Sequence, residues 1–450
     1  MKASPSNRPL VAVACGGTGG HLFPGLAVAA QLQRRGCDVA LLISPKDVDQ
    51  QAVKAALAGT GPGKEDAGDM PQAGSVLGAP FEVYTLPAVG LQNRNYLSFA
   101  ASFVKSLFAA RKVFRRRKPL AVLAMGGFTS APPIFAAKDL GAKTFLHESN
   151  TIPGRANRLL ARFVDEAFVG FPETAARLKA RKVTPTGTPV RDHFSPPPAS
   201  LRESAANQLG LQPRLPVVLV MGGSQGASGL NDLVLSALPL LAQKKWQWLH
   251  LAGANDFEKV RLAYAALGIP ALVKTFLAEM DLALGVAKAA VSRAGASSLA
   301  EIAAFRLPAL LVPFPAAADN HQFFNARIYA LSGAARLLEQ TGATPAQVAA
   351  ALSELVEDNA ARVKMNAALE LWRAPGAAEE IAAHILRRSL KARGGYRGRD
   401  PYRRSTDLLN RPVGDPSGNE PIRSSALPVH VKDTRILSRG QAQSKNLTAA

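Results

Sequence analysis

Short apolar runs rich in β-formers alternate with helix-length stretches from Leu10 to Thr186: VAVA (11–14), DVALLI (38–43), FEVYTL (81–86), AVLAM (121–125), KTFLH (143–147) and EAFV (166–169). Strands separated in this way by helices predict a parallel sheet covered on its faces. Between Val190 and Pro216 the rhythm breaks, with Pro196, Pro197 and Pro198 together among polar residues, and an interdomain linker is expected there. A second alternation follows in PVVLVM (216–221), QWLHLA (247–252), ALVK (271–274), AAVS (289–292) and PALLVP (308–313). The expected fold class is α/β, with two Rossmann-like domains at 8–190 and 216–390 joined by residues 191–215. The last helix is a candidate for packing back on the first domain.

Two stretches fall outside this pattern. Residues Gly59 to Gly78 are rich in Gly, Ala, Pro and acids without periodicity and read as a surface insertion. They contain GPGK, but no Ser or Thr follows Lys64, so a phosphate-binding P-loop is excluded. Residues 391–450 are a basic mixture of Arg, Gly, Ser and Pro that cannot bury enough surface to fold alone, and disorder is expected.

At 450 residues and 47% apolar content, the chain has material for two cores. The net charge of +21 calls for a polyanionic partner without choosing among nucleic acid, anionic membrane and phosphorylated substrate. Cys15 and Cys37 form neither a disulfide framework nor a metal-ligand spacing. The run from Leu10 to Cys15 is too short for a lipoprotein signal and reads as a buried strand. No window holds the eighteen or so uncharged apolar residues of a membrane span, so membrane contact is expected to be peripheral.

The charge has one informative location outside the tail. From Tyr96 to Lys118, Phe99, Phe103 and Phe108 interleave with Lys105, Arg111, Lys112, Arg115, Arg116 and Arg117, with no acid among them. Two readings stay open: an interfacial helix touching anionic lipid, or a core-facing helix with a solvated basic end. The tail arginines Arg397, Arg399, Arg403 and Arg404 would suit a nucleic-acid binder. That reading leaves the motifs below idle, so no nucleic-acid partner is expected.

Gly16-Gly17-Thr18-Gly19-Gly20-His21 follows the first strand directly and precedes a helix opening near Phe23-Pro24. Residues without side chains let backbone amides approach an anion, and the helix N-terminus adds a favourable dipole. The second strand ends without an acid to grip a ribose, which argues against a dinucleotide-dependent dehydrogenase. The second domain repeats the device in Gly222-Gly223-Ser224-Gln225-Gly226. Ligands gather at the carboxyl ends of parallel strands, so paired loops point to a diphosphate held between the domains. Three more segments follow strands in the same way: Gly126 to Ser130, His147 to Asn150, and Arg293 to Glu301. In the last, Ser297 and Ser298 offer hydroxyls to a phosphate and Glu301 an acceptor to ribose, or the serines simply cap a helix with Glu301 as box partner.

Taken together, GGTGGHLFPGLAVA (16–29), GGFTSAP (126–132), HESNTIPGRANR (147–158), GTPVR (187–191), GGSQGA (222–227), RAGASSLAEI (293–302) and VPFPAAADNHQFFNA (312–326) resemble glycosyltransferase family 28. Within it, the likeness is to the N-acetylglucosaminyltransferases that convert lipid I to lipid II in peptidoglycan synthesis. The resemblance is collinear from about Val11 to Leu390. It implies a GT-B fold, UDP-N-acetylglucosamine as donor, lipid I as acceptor, inversion at the anomeric carbon, and work at the cytoplasmic face of the inner membrane. It also implies that Thr18, Gly19 and Gly20 line the diphosphate region, that Asn150, Arg191, Ser224 and Gln322 contact the donor, and that Leu277 lines the uracil pocket. Ala296, Ser297, Ser298, Leu299, Ala300 and Glu301 would take the phosphates and ribose. Ala294 stands where the family has Ser, and Ala131 where it has Gly. Another UDP-sugar enzyme of the same fold, such as an epimerase or a glycolipid synthase, would not be expected to share HESN, GGFTSAP and DNHQ together.

Inverting transfer needs a base for the acceptor proton and stabilisation of the leaving diphosphate. His21 closes the first glycine loop with an intrinsic pKa near ~6.5 and is the favoured base; an orienting hydrogen-bond donor is the other role open to it, and Glu148 is the rival base. Arg191 is either a diphosphate contact at the domain junction or an ordinary ion-pair partner. No D-x-D pair is suited to holding a divalent ion against a diphosphate, so no metal and no other cofactor is expected.

Overall fold

The computed structural model describes residues 8–17, 19–46, 49–50, 53, 81–88, 96–223 and 226–392. Thr18, Ser224, the Gly59 to Gly78 insertion and the tail from residue 393 onward lie outside the described residues.

In the first domain β1 (Leu10–Ala14), β2 (Asp38–Ile43), β3 (Glu82–Thr85), β4 (Ala121–Ala124), β5 (Lys143–Glu148), β6 (Glu166–Val169) and β7 (Val183–Pro185) form a parallel sheet in the order β3-β2-β1-β4-β5-β6-β7. Its described helices are α1 (Gly19–Arg34), α2 (Tyr96–Arg116), α3 (Ala131–Asp139) and α4 (Arg155–Leu160). The strands are Val, Ala and Leu runs because both faces are covered, and β1 is buried along its whole length. Strand order reverses between β1 and β4, where the crevice at a sheet's carboxyl edge receives ligands in open α/β folds. The loops Gly16 to His21 and Gly126 to Ser130 both leave from that point.

Second-domain strands β8 (Val217–Met221), β9 (Gln247–Leu251), β10 (Ala271–Lys274), β11 (Ala287–Ser292), β12 (Ala309–Leu311) and β13 (Arg336–Leu337) run in the order β10-β9-β8-β11-β12-β13. The order reverses between β8 and β11, again below two loops singled out by the sequence. Beyond Pro198 the described helices are α5 (Ala199–Gln208), α6 (Ser228–Leu241), α7 (Phe257–Ala266), α8 (Met280–Val286), α9 (Ala296–Phe305), α10 (His321–Leu331), α11 (Pro345–Glu357), α12 (Asn359–Glu370) and α13 (Ala377–Ala392).

Two features were not visible in the apolar pattern. β7 and β13 are too short to show a period, and Pro185 is tolerated because β7 lies at the sheet edge. Residues 191–215 are not extended throughout: after the prolines, α5 buries Ala205 and Ala206 and packs against α8. α13 places Ala378, Ile381, Ala382, Ile385 and Leu386 in the same core as Val11, Leu26 and Phe145 of the first domain. Its polar side is held by the buried Glu166, which pairs with Lys182, His384 and Arg388.

Candidate active site

Each loop at the first switch point is fixed from below. A Cβ on Gly16 would fall 2.2 Å from the Ser44 nitrogen, and Gly17 has φ +112, so neither position accepts a side chain without strain. Gly17 N donates to the buried Asp49 carboxylate at 2.6 Å, Lys46 Nζ to the Gly17 carbonyl at 3.0 Å, and Thr129 Oγ1 to the Gly16 carbonyl at 2.7 Å. With Gly17 N engaged inward, the Gly19 and Gly20 end of the loop forms the N-terminus of α1, the end of a helix that suits an anion. Nothing in its spacing marked Asp49 for this place: it ends an Asp47-Val48-Asp49 run whose first acid lies outside the described residues.

The His21 ring packs on Gly126 and Gly127, whose φ angles of +114 and +77 leave room for it; a Cβ on Gly126 would be 2.9 Å from His21 Nε2. Burial lowers the His21 pKa to about 4, assisted by the charges of His321 and Lys46 and opposed by Asp49. The ring is therefore neutral near pH 7 and keeps one nitrogen as an acceptor.

The Glu148 carboxylate is buried and accepts from Asn150 N at 2.8 Å, Asn150 Nδ2 at 3.1 Å, Gly154 N at 2.9 Å and Asn157 Nδ2 at 2.8 Å. Burial pushes its pKa up against those four bonds. The carboxylate thus clips the 149–154 loop and orients Asn150; to act as a base it would have to give up part of that clip.

On the second domain, α9 has Gly295 as N-cap with no side-chain capping bond, so the helix-capping alternative for Ser297 and Ser298 is not realised. Ser297 Oγ instead donates across the cleft to the Gly20 carbonyl at 2.9 Å. Glu301 lies one turn on, its pKa pushed up to about 7 by burial against the Arg191 charge. The Arg191 guanidinium lies over the rings of Phe23, at 5.0 Å, and Phe194, at 4.3 Å. Burial lowers its pKa while Glu301 and Asp281 oppose the shift, so it is a desolvated cation facing the cleft and not a surface ion-pair partner.

Asn150 and the second domain meet through Asn325, which donates to Asn150 Oδ1 at 3.0 Å and to the Ala294 carbonyl at 3.1 Å and accepts from Thr151 N at 2.9 Å. Gln322 Oε1 accepts from Phe314 N at 3.0 Å and holds the 312–322 loop. Ala296, Leu299 and Leu277 are buried in the second core, while Ser297, Ser298, Ala300 and Glu301 are half-buried along its edge. The structure thus gathers Gly19, Gly20, His21, Asn150, Arg191 and the 296–301 segment around one crevice. Sequence reasoning missed Asp49, Thr129, Phe23, Phe194 and Asn325 as site residues; Asn325 and Thr129 lay inside motifs as their ordinary polar members, and Phe23 as the apolar opening of α1. Among the described residues no three His, Cys, Asp or Glu side chains gather as metal ligands.

Away from the crevice, α2 presents Leu97, 86% exposed, with Val104 and Phe108, 61% exposed. Phe99 and Phe103 join a chain of ring contacts through Phe135 to Phe163. Phe108, Arg111, Lys112, Arg115 and Arg116 line a surface depression of about 450 Å³. Arg117 does not belong to that face: it pairs with Asp38 at 2.5 Å and with Glu82, tying the end of α2 to β2 and β3. Among the described residues no helix is long and apolar enough to cross a membrane.

Residues 11–62 and 69–169 match the glycosyltransferase family 28 N-terminal domain, and residues 217–381 match the family 28 C-terminal domain. The chain belongs to glycosyltransferase family 28. It is 36% identical over 386 residues to the UDP-N-acetylglucosamine–N-acetylmuramyl-(pentapeptide) pyrophosphoryl-undecaprenol N-acetylglucosamine transferase of Anaeromyxobacter sp. (strain Fw109-5), covering 84% of this chain and 93% of the relative. To the enzyme of the same name from Acidithiobacillus ferrooxidans it is 37% identical, covering 84% of this chain and 97% of the relative. The crystal structure of Acinetobacter baumannii MurG superposes with a TM-score of 0.63 at 26% identity, over 84% of this chain and 99% of that one. The family 28 chain therefore has the GT-B arrangement of two Rossmann-like domains on either side of a cleft.

Proposed function

We propose that the chain transfers N-acetylglucosamine from UDP-N-acetylglucosamine to the C4 hydroxyl of the N-acetylmuramoyl sugar of lipid I, undecaprenyl-diphospho-MurNAc-pentapeptide, giving lipid II. The observation that carries the reading is the meeting of two helix N-termini above the two switch points, α1 at Gly20 and α9 at Ser297, with the half-buried Arg191 beside them. Two positive helix ends and a desolvated guanidinium suit a diphosphate that gains charge as it leaves. The relatives' names specify donor and acceptor.

In this reading Asn150, Gln322 and Arg191 hold the sugar and diphosphate, with Ser224 and Thr18 completing the loops. Ala296 to Glu301 hold phosphates and ribose, and Leu277 backs the uracil. The acceptor oxygen attacks the anomeric carbon from the face opposite UDP. Its proton passes to the unprotonated His21 nitrogen, the bond from that carbon to the diphosphate oxygen breaks, and UDP leaves with the electron pair. Glu148 orients Asn150. The apolar and basic face of α2, with Phe99, Phe103, Phe108, Arg115 and Arg116, docks peripherally on anionic lipid at the cytoplasmic face of the inner membrane.

Radiolabelled N-acetylglucosamine transfer from UDP-N-acetylglucosamine to a lipid I analogue tests the assignment, with UDP-N-acetylgalactosamine as the specificity control. Label in the lipid product from the first donor only is expected. Absence of transfer, or interconversion of the donor with its 2-epimer without acceptor, would sink it.

A further inference from the structure

We infer that Asp49 is a positioning residue for the proposed transfer, an inference that rests on the reading of His21 as base: from beneath the first glycine loop its carboxylate holds Gly17 and sets a fixed negative charge near the ring that takes the acceptor's proton. Asp49 is fully buried; one oxygen accepts from Gly17 N at 2.6 Å and from Ser44 Oγ at 2.5 Å. The other oxygen is also buried and has no hydrogen-bond partner among the described residues. A carboxylate in that state is costly, and beneath a loop that faces a diphosphate it adds repulsion. An anion cradle alone does not call for it. What it favours is a cation forming close by.

His21 becomes that cation during the proposed step, when the acceptor O–H bond breaks towards its ring as the new glycosidic bond forms. Among the described residues, Asp49 acts on the ring to favour its protonated form and Lys46 and His321 act to disfavour it, with burial the largest influence. His147, on the neighbouring β5, senses the ring in turn. Lys46 is partly engaged elsewhere, bonded to the Gly17 carbonyl and lying over the Phe128 ring at 5.5 Å. Asp49 is thus an acid acting on His21, and its bond to Gly17 keeps the loop that carries His21 in register with it.

Asp49→Asn keeps an oxygen to accept from Gly17 and Ser44 while removing the charge. In the full-length protein with lipid I analogue, kcat should fall about tenfold or more, while the KM for UDP-N-acetylglucosamine stays within about twofold. The acid limb of the kcat/KM profile should move to lower pH, because loss of a negative charge disfavours imidazolium. Asp49→Glu should restore the position of that limb, and it remains informative if the Asn variant does not fold. In a His21→Gln background the Asn substitution should cost nothing further, since coupled groups are not additive. An equal loss in both backgrounds, or an unmoved acid limb, overturns the inference while leaving His21 as base. Near-normal turnover of His21→Gln alone overturns the base reading and Asp49 with it.

Discussion

Backbone shape at single glycines decides whether His21 can occupy its place. A methyl group on Gly126 would contact Nε2 of the ring at 2.9 Å, and the φ of +114 is unfavourable for any L side chain. Gly126→Ala should therefore displace the ring, lowering kcat on the order of 100-fold and stability by about 1–2 kcal/mol. Gly210 has φ +72 with nothing within 4 Å of the added methyl. Gly210→Ala should show a similar loss in thermal unfolding with turnover unchanged, and equal turnover losses in the two variants would disprove the packing argument. The motif identified His21 as a candidate, but its burial, the charges around it and its neutral state come from residues up to 300 positions away. Glu148 illustrates the same limit: its spacing allowed a base, and only the four converging N–H groups reveal a clip.

At the level of elements, α13 crosses back to complete the first core. Glu166 anchors it. Burial pushes the Glu166 pKa up, but the bonds from Lys182 and Thr184 and the charges of Lys182 and His384 outweigh that and leave it lowered. Burial lowers the pKa of His384 as well, against the pull of Glu166. Both groups bind protons less readily folded than unfolded, so both contributions are present above the unfolded values and lost as pH falls. Docking of α13 should weaken first below about pH 6.5 and again below about pH 4.3. Hydrogen exchange across residues 377–392 should rise in that order while β8 to β11 stay protected. Glu166→Gln should loosen the same helix at neutral pH and cost about 1–3 kcal/mol, because it leaves Lys182 and Arg388 without their partner.

For the whole molecule, charge location matters more than the total of +21. Charge reversal of Arg115 and Arg116, which border the exposed Phe108, should abolish flotation with vesicles containing anionic lipid and leave the thermal transition in place. Reversal of Arg117 should do the opposite, lowering the transition through the lost Asp38 and Glu82 pairs. Retained flotation after the first change would move the membrane contact to another surface. The two domains also meet through Ser297 with Gly20, Asn325 with Asn150, and Arg155 and Arg158 with Asp319.

Local periodicity and glycine placement determined the α/β class, two of the strand-end loops in each domain and His21 as a candidate, because strands buried on both faces and residues free of side chains leave marks at short range. The family likeness supplied the donor, the acceptor, the GT-B arrangement and most of the candidate site residues. Only the tertiary structure decided that Asp49 lies under the first glycine loop, that Arg117 faces inward and that Ser297 reaches Gly20. Each of these depends on contacts between residues far apart in the chain, whose energies come from burial and charge proximity that no local pattern encodes.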